Sequence, residues 1–267
     1  TASKKKESVF NSPLSTTVIP AEMIEQSGAT TLEEVLRLVP GMIVRQKTNG
    51  NFDVHIRGFD NVPPENFTHF SENMISLVMV DGIPVYNNVS GGTFWETIPV
   101  SMAQIDRVEV VRGPSSALYG PNAASGVINI ITKGASDKKI NLVADVKSGN
   151  ETNGITNLYV ARKITDKLTL SLAGKYDKRN RFTDEYYSFV KGDYVEVPDS
   201  LIGLTGIDYY NGINEQSLSR KVARDLWASN LNLLYQHAPD VRFSLTGTMQ
   251  DSKIQTAFFE NLATPFS

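Results

Sequence analysis

The stretch that decides the fold is IDRVEVVRGPSSALYGPNAASGVINIITK, which runs from Ile105 to Lys133. Its first part, Ile105–Val111, is rich in β-branched residues and predicts a strand. A Gly-Pro pair at 113–114 predicts a turn, and a short helix is expected near Ser115–Tyr119. A second strand is predicted over Val127–Thr132. Two strands separated by a turn and a short helix indicate part of a small mixed α+β domain.

The sequence before this stretch also mixes short helices and short strands. Two threonines at 30–31 precede acidic residues by three positions, which is the spacing of a capping box, and predict a helix over Thr31–Val39 that ends at Pro40-Gly41. Phe52–Ile56 alternates apolar and polar residues, and the segments 77–80 and 83–86 flank an Asp-Gly turn, so all three predict strands. We therefore expect one α+β domain over residues 9–134.

After residue 134 the pattern changes to longer strands of strict alternation. Five strands are predicted between Lys139 and Asp251, and four of them have one apolar and one polar face. The alternation is poorer over Gly154–Ile164, where Arg162 disturbs the apolar face. The connections at 165–167 and 238–240 are short, whereas Asn180–Arg224 is long, polar and rich in tyrosine. Short turns on one side and long loops on the other are typical of outer-membrane barrels, with the short side facing the periplasm. Three aromatic residues near strand ends would suit interfacial girdles: Tyr176, Trp227 and Tyr235.

Alternation alone is equally compatible with a soluble β-sandwich or a lipocalin-like barrel. Five strands cannot close a membrane barrel, and an open sheet edge in lipid leaves backbone groups unpaired. We therefore expect residues 135–267 to hold about the first five strands of an antiparallel transmembrane β-barrel that this chain leaves incomplete.

Composition excludes several classes of function. The 267 residues carry a formal net charge of -3 without a block of one sign, which argues against nucleic acid as a partner. Cysteine is absent, which excludes disulfides, thiolate zinc sites and cysteine nucleophiles. No apolar run approaches the ~20 residues of a membrane helix. A membrane-spanning role would therefore require strands.

An enzyme would need a nucleophile, a metal site or a cofactor loop. The segment Gly113–Ala117 lacks the second glycine of a nucleophile elbow and the Gly-Lys pair of a P-loop. The histidines at 55, 69 and 237 are widely separated and show no ligand spacing. We therefore expect no catalytic residue, no metal site and no cofactor.

The segment Ile105–Gly120, with its continuation Gly126–Lys133, closely resembles the signature of the TonB-dependent receptor plug. Two further motifs of that family precede it in the same order, IRGF at 56–59 and LVMVDGIP at 77–84. The resemblance implies a plug inside an outer-membrane barrel of about 22 strands. Residues 1–8 look like the tail of the box through which an inner-membrane protein pulls on the plug, followed by a linker.

The resemblance also implies what the protein does and what it contacts. It implies active uptake of a scarce, bulky nutrient, with a ferric siderophore as the leading ligand and haem, cobalamin or an oligosaccharide as alternatives. A receptor that senses its ligand without transporting it is the competing function. The implied partners are the TonB energy-transducing protein, outer-membrane lipid, a small-molecule or chelate ligand and a surface lipoprotein.

Polar, irregular stretches follow the predicted strand ends of the plug and carry aromatic rings beside hydrogen-bonding groups, a combination that can bind a chelate, a porphyrin or a sugar face. The ligand-binding candidates are Phe67, His69, Phe70, Tyr86, Trp95, Tyr119 and Asn122. The alternative is that Phe70, Phe94 and Trp95 pack the plug against the barrel.

Four charged residues lie on or beside strands rich in isoleucine and valine: Arg57, Arg107, Glu109 and Arg112. A charge is costly there unless it is paired. We expect these residues to form ion pairs between plug strands or with carboxylates on the inner wall of the barrel.

Overall fold

The computed structural model describes residues 14–46, 52–58, 75–86, 92–134, 140–150, 153–180, 185–188, 193–196, 222–238 and 240–254. In chain order the strands are β1 (Ser15–Pro20), β2 (Met42–Gln46), β3 (Phe52–Ile56), β4 (Ser76–Val80), β5 (Ile83–Pro84), β6 (Ile105–Arg112), β7 (Gly126–Thr132), β8 (Ile140–Ser148), β9 (Gly154–Thr165), β10 (Leu168–Asn180), β11 (Glu185–Ser188), β12 (Asp193–Glu196), β13 (Val222–Ala238) and β14 (Val241–Ile254). The helices are α1 (Ala21–Gln26), α2 (Leu32–Val35) and α3 (Ser116–Tyr119), with single 3-10 turns at Leu36–Leu38, Trp95–Thr97 and Met102–Gln104.

The N-terminal part, meaning the described residues from 14 to 134, is built on a five-stranded sheet in the order β1-β6-β7-β4-β5. Strands β4 and β7 run parallel, and the other neighbours are antiparallel. The strands predicted from the deciding stretch are confirmed as β6 and β7, which pair with each other. The two-stranded sheet β2-β3 and the helices supply further residues to the main core, including Val35, Val54 and Ile56.

Helix α2 is shorter than predicted, although its predicted cap is confirmed. The Thr31 hydroxyl accepts the Glu34 amide at 3.4 Å, and the Glu34 carboxylate accepts the Thr30 amide at 2.6 Å. The helix then tightens into the 3-10 turn Leu36–Leu38 before Pro40, a residue that cannot continue a helix. The cap therefore fixes the start of the helix and leaves the neighbouring Glu33 free to face another element.

The second sheet, which we call the wall, has the order β14-β13-β10-β9-β8 and is antiparallel throughout. It confirms the five predicted strands. Alternate residues point to opposite faces, and one face carries a band of exposed apolar side chains such as Leu142, Leu172, Leu231 and Leu245. Tyr176 lies directly opposite Trp227 on this face. The other face carries the polar residues and covers the N-terminal part.

The long segment predicted between Asn180 and Arg224 contains a hairpin that the prediction lacked. Strands β11 and β12 pair in it, and β13 begins at Val222, before the predicted end of the loop. Among the described residues, no helix has the length and apolar character needed to cross a membrane.

Candidate functional site: the interface between the N-terminal part and the wall

The segment Ile98–Gln104 is held by polar side chains that project from adjacent wall strands. Asn157 on β9 accepts hydrogen bonds from the Ser101 hydroxyl and the Met102 amide, both at 3.1 Å. Lys175 on β10 donates from Nζ to the Ile98 carbonyl at 2.9 Å. Two of these three partners in the segment are backbone atoms. The wall therefore holds the backbone of Ile98–Gln104 more than its side chains.

The same segment packs closely because the wall presents small residues beneath it. Ala161 and Ala173 are buried and form an apolar cluster with Tyr159 and with Ala103 of the 3-10 turn. Beside this cluster, Asn230 on β13 donates to the Pro99 carbonyl. The small alanine side chains let the backbone of the segment approach the backbone of the wall. The side-chain amides of Asn157 and Asn230 supply hydrogen bonds around this contact.

Helix α2 meets the wall at a buried charge cluster. The Glu33 carboxylate lies 3.7 Å from Nη1 of Arg224 on β13, and Arg224 Nε lies 3.4 Å from Asp177 of β10. Arg179 donates to Asp177 at 2.9 Å and to the Thr30 hydroxyl at 3.2 Å. Glu33 and Arg224 are only 1% and 2% exposed. Charges buried to this extent depend on one another, because removal of one partner leaves the other without compensation.

A cavity of about 20 Å³ lies beside this cluster, and residues of both the wall and the N-terminal part line it. Its lining includes Trp95, Asn157 and Lys175. Among the described residues, Glu33 Oε1 and the Nε and Nη1 atoms of Arg224 find no hydrogen-bond partner, and the cavity is large enough for about one water molecule. The contact is therefore polar and loosely packed at this point, unlike the close contact around Ala103.

The chain leaves the N-terminal part at a further fixed point, Lys133. Its Nζ donates to the Ala103 carbonyl at 2.7 Å and lies 5.7 Å from the centre of the Tyr159 ring. Burial lowers the pKa of Lys133, and the acidic residues nearby, Glu25 first among them, offset part of that effect. The junction is thus fastened to the same wall strand that holds Ser101.

The predicted ligand-binding residues occupy different environments. Phe67, His69 and Phe70 lie outside the described residues. Trp95 is 1% exposed and belongs to the main core, whereas Tyr119 packs against a second apolar cluster. Burial raises the pKa of Tyr119, and the nearby carboxylate of Glu109 adds to the effect.

Tyr86 and Asn122 are half-buried, and Asn122 adopts a left-handed backbone with φ of 69°. Because Trp95 and Tyr119 contribute to separate clusters, the described candidates do not converge on one apolar pocket. Their role in ligand binding stays a prediction.

The predicted charge network takes a local form. Arg107 pairs with Glu109 at 2.8 Å and with Asp106 at 2.6 Å, all on β6. Arg112 donates to the Pro40 carbonyl at 2.6 Å and to the Thr17 hydroxyl at 3.1 Å. These contacts tie β6 to its own neighbours.

Arg57 is exposed, follows β3 and has a left-handed backbone with φ of 57°. The described ion pair across the interface joins Glu33 to Arg224, so the wall supplies the cation where we expected it to supply a carboxylate. A second buried charge group, Asp53 with Arg45 and His55, lies on β2 and β3.

The prediction did not include the residues that make the interface: Glu33, Asn157, Lys175, Asp177, Arg179, Arg224 and Asn230. A signal for some of them was present, because Lys175, Asp177 and Arg179 occupy every second position of β10 and must share one face. What the pattern lacked was the identity of their partners.

The contact between Asn157 and the Met102 amide can be tested by substitution. Asn157→Leu keeps the volume similar but removes the acceptor for one backbone amide and one hydroxyl. Because a buried donor without a partner costs about 1–3 kcal/mol, we expect a loss of that size in the free energy that holds the segment to the wall. Hydrogen exchange of the amides at 101–104 measures it. Asn141→Leu, at an inward position of β8, is the matched control and should leave that exchange unchanged.

The family described as TonB-dependent Receptor Plug Domain matches residues 8–127. The vitamin B12 transporter BtuB of Vibrio vulnificus is 35% identical over 180 residues, which are 65% of this chain and 27% of that protein. The pyoverdine outer membrane receptor FpvA of Pseudomonas aeruginosa PAO1 shares the fold, with a TM-score of 0.61, 19% identity, and coverage of 92% of this chain and 28% of that one. The ferric enterobactin receptor PfeA of Pseudomonas aeruginosa also shares the fold, with a TM-score of 0.59 and 21% identity. That match covers 94% of this chain and 34% of PfeA.

These matches and the fold define an α+β plug followed by antiparallel wall strands. Residues 8–127 belong to the plug-domain family of the TonB-dependent receptors, and the chain as a whole shares the fold of outer-membrane receptors of that kind. It spans about a quarter to a third of the length of the relatives named above. From here the N-terminal part is called the plug.

Proposed function

We propose that the chain is the plug and the start of the barrel of a receptor that takes up a scarce, bulky solute by TonB-dependent transport. Residues 9–134 act as the plug, residues 135–267 begin the barrel, and residues 1–8 hold the tail of the box on which the energy-transducing protein pulls, with a linker. The solute leaves the outside medium through the barrel once the plug has shifted from the wall.

The observation that carries this proposal is the chemistry of the interface. The plug covers the polar face of the wall through hydrogen bonds and ion pairs, as at Asn157, Lys175 and Arg224. Such contacts can be exchanged for water, whereas a wholly apolar interface would have to expose its core to separate. A polar contact beside a cavity therefore suits a plug that blocks a passage at rest and yields under force.

The candidate ligands are ranked by how directly the similar proteins support them. A ferric siderophore leads, because the fold neighbours include receptors described for pyoverdine and for ferric enterobactin. Cobalamin is the second candidate, because the relative with 35% identity is a vitamin B12 transporter. Haem and oligosaccharides are the remaining candidates.

Growth of a receptor-deletion strain tests the proposal. The strain is supplied with a single limiting source of iron as ferric siderophore, haem, cobalamin or oligosaccharide, with and without the full-length receptor. We expect rescue on one source, and loss of that rescue in a strain without the energy-transducing protein. Rescue on none of the sources would contradict transport, and rescue independent of the energy-transducing protein would contradict the coupling.

A further inference from the structure

The inner face of the wall carries four cations that the plug covers. Lys147 on β8 donates to the Ala29 carbonyl at 3.1 Å, and Lys175 donates to the Ile98 carbonyl. Arg179 donates to the Thr30 hydroxyl, and Arg224 faces the Glu33 carboxylate. Each cation thus meets an oxygen acceptor that belongs to the plug.

The strand register places these cations in one patch. Arg179 lies directly opposite Arg224, and Lys175 is four residues from Arg179 on the same face of β10. Lys147 lies opposite Ile155, which in turn lies opposite Asp177. We call Lys147, Lys175, Arg179 and Arg224 the cationic patch.

The patch carries an excess of positive charge on the wall. The inward-facing carboxylates described beside it are Asp145, 3.3 Å from Lys147, and Asp177, which contacts both arginines. Four cations against two carboxylates leave an excess of two positive charges. The plug offsets this excess at rest. It brings the Glu33 carboxylate to Arg224, the Glu34 carboxylate to the Thr30 hydroxyl that Arg179 contacts, and the Glu96 carboxylate within electrostatic range of Lys175. These negative charges leave the patch together with the plug.

The hydrogen-bonding capacity of the patch is not used up by the plug. Within the part of the chain that the structure describes, Arg224 Nε and Nη1 make ion-pair contacts but no hydrogen bond, although the side chain is almost wholly buried. The cavity lined by Lys175, Asp177 and Arg224 lies next to them. A guanidinium offers a planar set of donors that suits carboxylate, phosphate or similar oxyanions, so these atoms have unused affinity for such groups.

We propose that the cationic patch is an anion-binding surface of the transport passage, which the plug covers at rest. When the segments around Ala29–Glu33 and Ile98 leave the wall, oxyanion groups of the solute replace the oxygens of the plug. Glu33 occupies the place that such a group takes. This inference rests on the proposed function, and it narrows the solute to an anionic one, such as a chelate that bears carboxylate or catecholate oxygens.

The local potential at the patch can be measured with a cysteine probe. Residues 1–267 contain no cysteine, so Ile155→Cys, with any cysteine beyond them changed to serine, gives one thiol beside Lys147 and Asp177. The purified full-length receptor reacts with an anionic sulfonate or a cationic trimethylammonium methanethiosulfonate, in increasing urea that loosens the plug before the wall unfolds. The labelling rate with each reagent is divided by the rate at which the same reagent modifies a free thiol.

We expect slow labelling without urea and, once the plug loosens, about a tenfold preference for the anionic reagent, because a confined surface of one sign concentrates counter-ions. Adding Lys147→Gln and Arg179→Gln should reduce that preference towards one. Thr248→Cys, an exposed inward position on β14, is the control and should show no preference.

Three outcomes would overturn the proposal: equal rates at Ile155→Cys, a preference that survives Lys147→Gln with Arg179→Gln, or no labelling at any urea concentration that leaves the wall folded. The assay needs no energy source and no transport. A failed growth rescue would therefore reject the proposed function without changing this result, and equal labelling rates would reject the anionic passage while uptake still occurred.

Discussion

The substitution Gly126→Ala should prevent the plug from folding normally. A Cβ at this position would lie 2.3 Å from the Val111 carbonyl oxygen and 2.8 Å from Ile56 Cδ1. The first contact is with the backbone of β6, which pairs with β7 at this point and cannot move aside as a side chain could. Strand β6 would have to shift in the middle of the sheet, so we expect a loss of about 3 kcal/mol or more in the free energy of unfolding.

Thermal unfolding of the full-length receptor, followed by hydrogen exchange of β6 and β7, measures this effect. Gly134→Ala is the matched control, since a Cβ there meets nothing within 4 Å, and it should change stability by less than about 0.5 kcal/mol. Equal stability of the two variants would show that the approach of β7 to β6 is not as close as the structure has it.

Local patterns were sufficient to predict the elements whose stabilising contacts are near in sequence. The capping threonine at 31, the Asp81-Gly82 turn and strands β6 and β7 depend on neighbours within a few residues or on strand period. The five wall strands were predictable for the same reason, because alternation with a period of two needs only one buried or lipid-facing side.

Long-range pairing could not be predicted in this way. Strand β4 runs parallel to β7, about fifty residues further along the chain, and nothing in either strand specifies the other. Strand β1 was not predicted, although it forms the edge of the sheet against β6. A strand pattern states which face is buried, and the partner on that face is decided by the rest of the fold.

The interface shows the same limit for charged residues. Charges that stand among apolar residues in the sequence, such as Arg107 and Glu109, pair with each other on one strand. Glu33 looked like part of an ordinary capping box, and Arg224 stood at the end of a predicted loop. Their pairing depends on how the plug sits against the wall, which short segments of sequence do not encode.

The substitution Arg224→Leu should weaken the hold of the wall on the plug more than any other change at the interface. It removes the cation that lies between Glu33 and Asp177 and leaves Glu33, 1% exposed, facing an apolar side chain. Breaking a buried pair by removing one partner costs about 3–5 kcal/mol, because the remaining charge stays desolvated. We therefore expect the plug to loosen at a lower urea concentration. The decrease should correspond to a loss of about 3–5 kcal/mol in the free energy that holds the plug to the wall.

Hydrogen exchange of the α2 amides, followed at increasing urea concentration, measures that loosening. Two further variants test whether the loosening comes from the buried charge of Glu33. Adding Glu33→Leu to Arg224→Leu should recover part of the loss, since the unpaired carboxylate is then gone. Lys163→Leu removes a cation whose partner, Asp166, is fully exposed, and should change the result by less than about 1 kcal/mol. If Arg224→Leu behaved like Lys163→Leu, the cluster at α2 would be solvated in the working receptor, and the wall would hold the plug mainly through Asn157, Lys175 and Asn230.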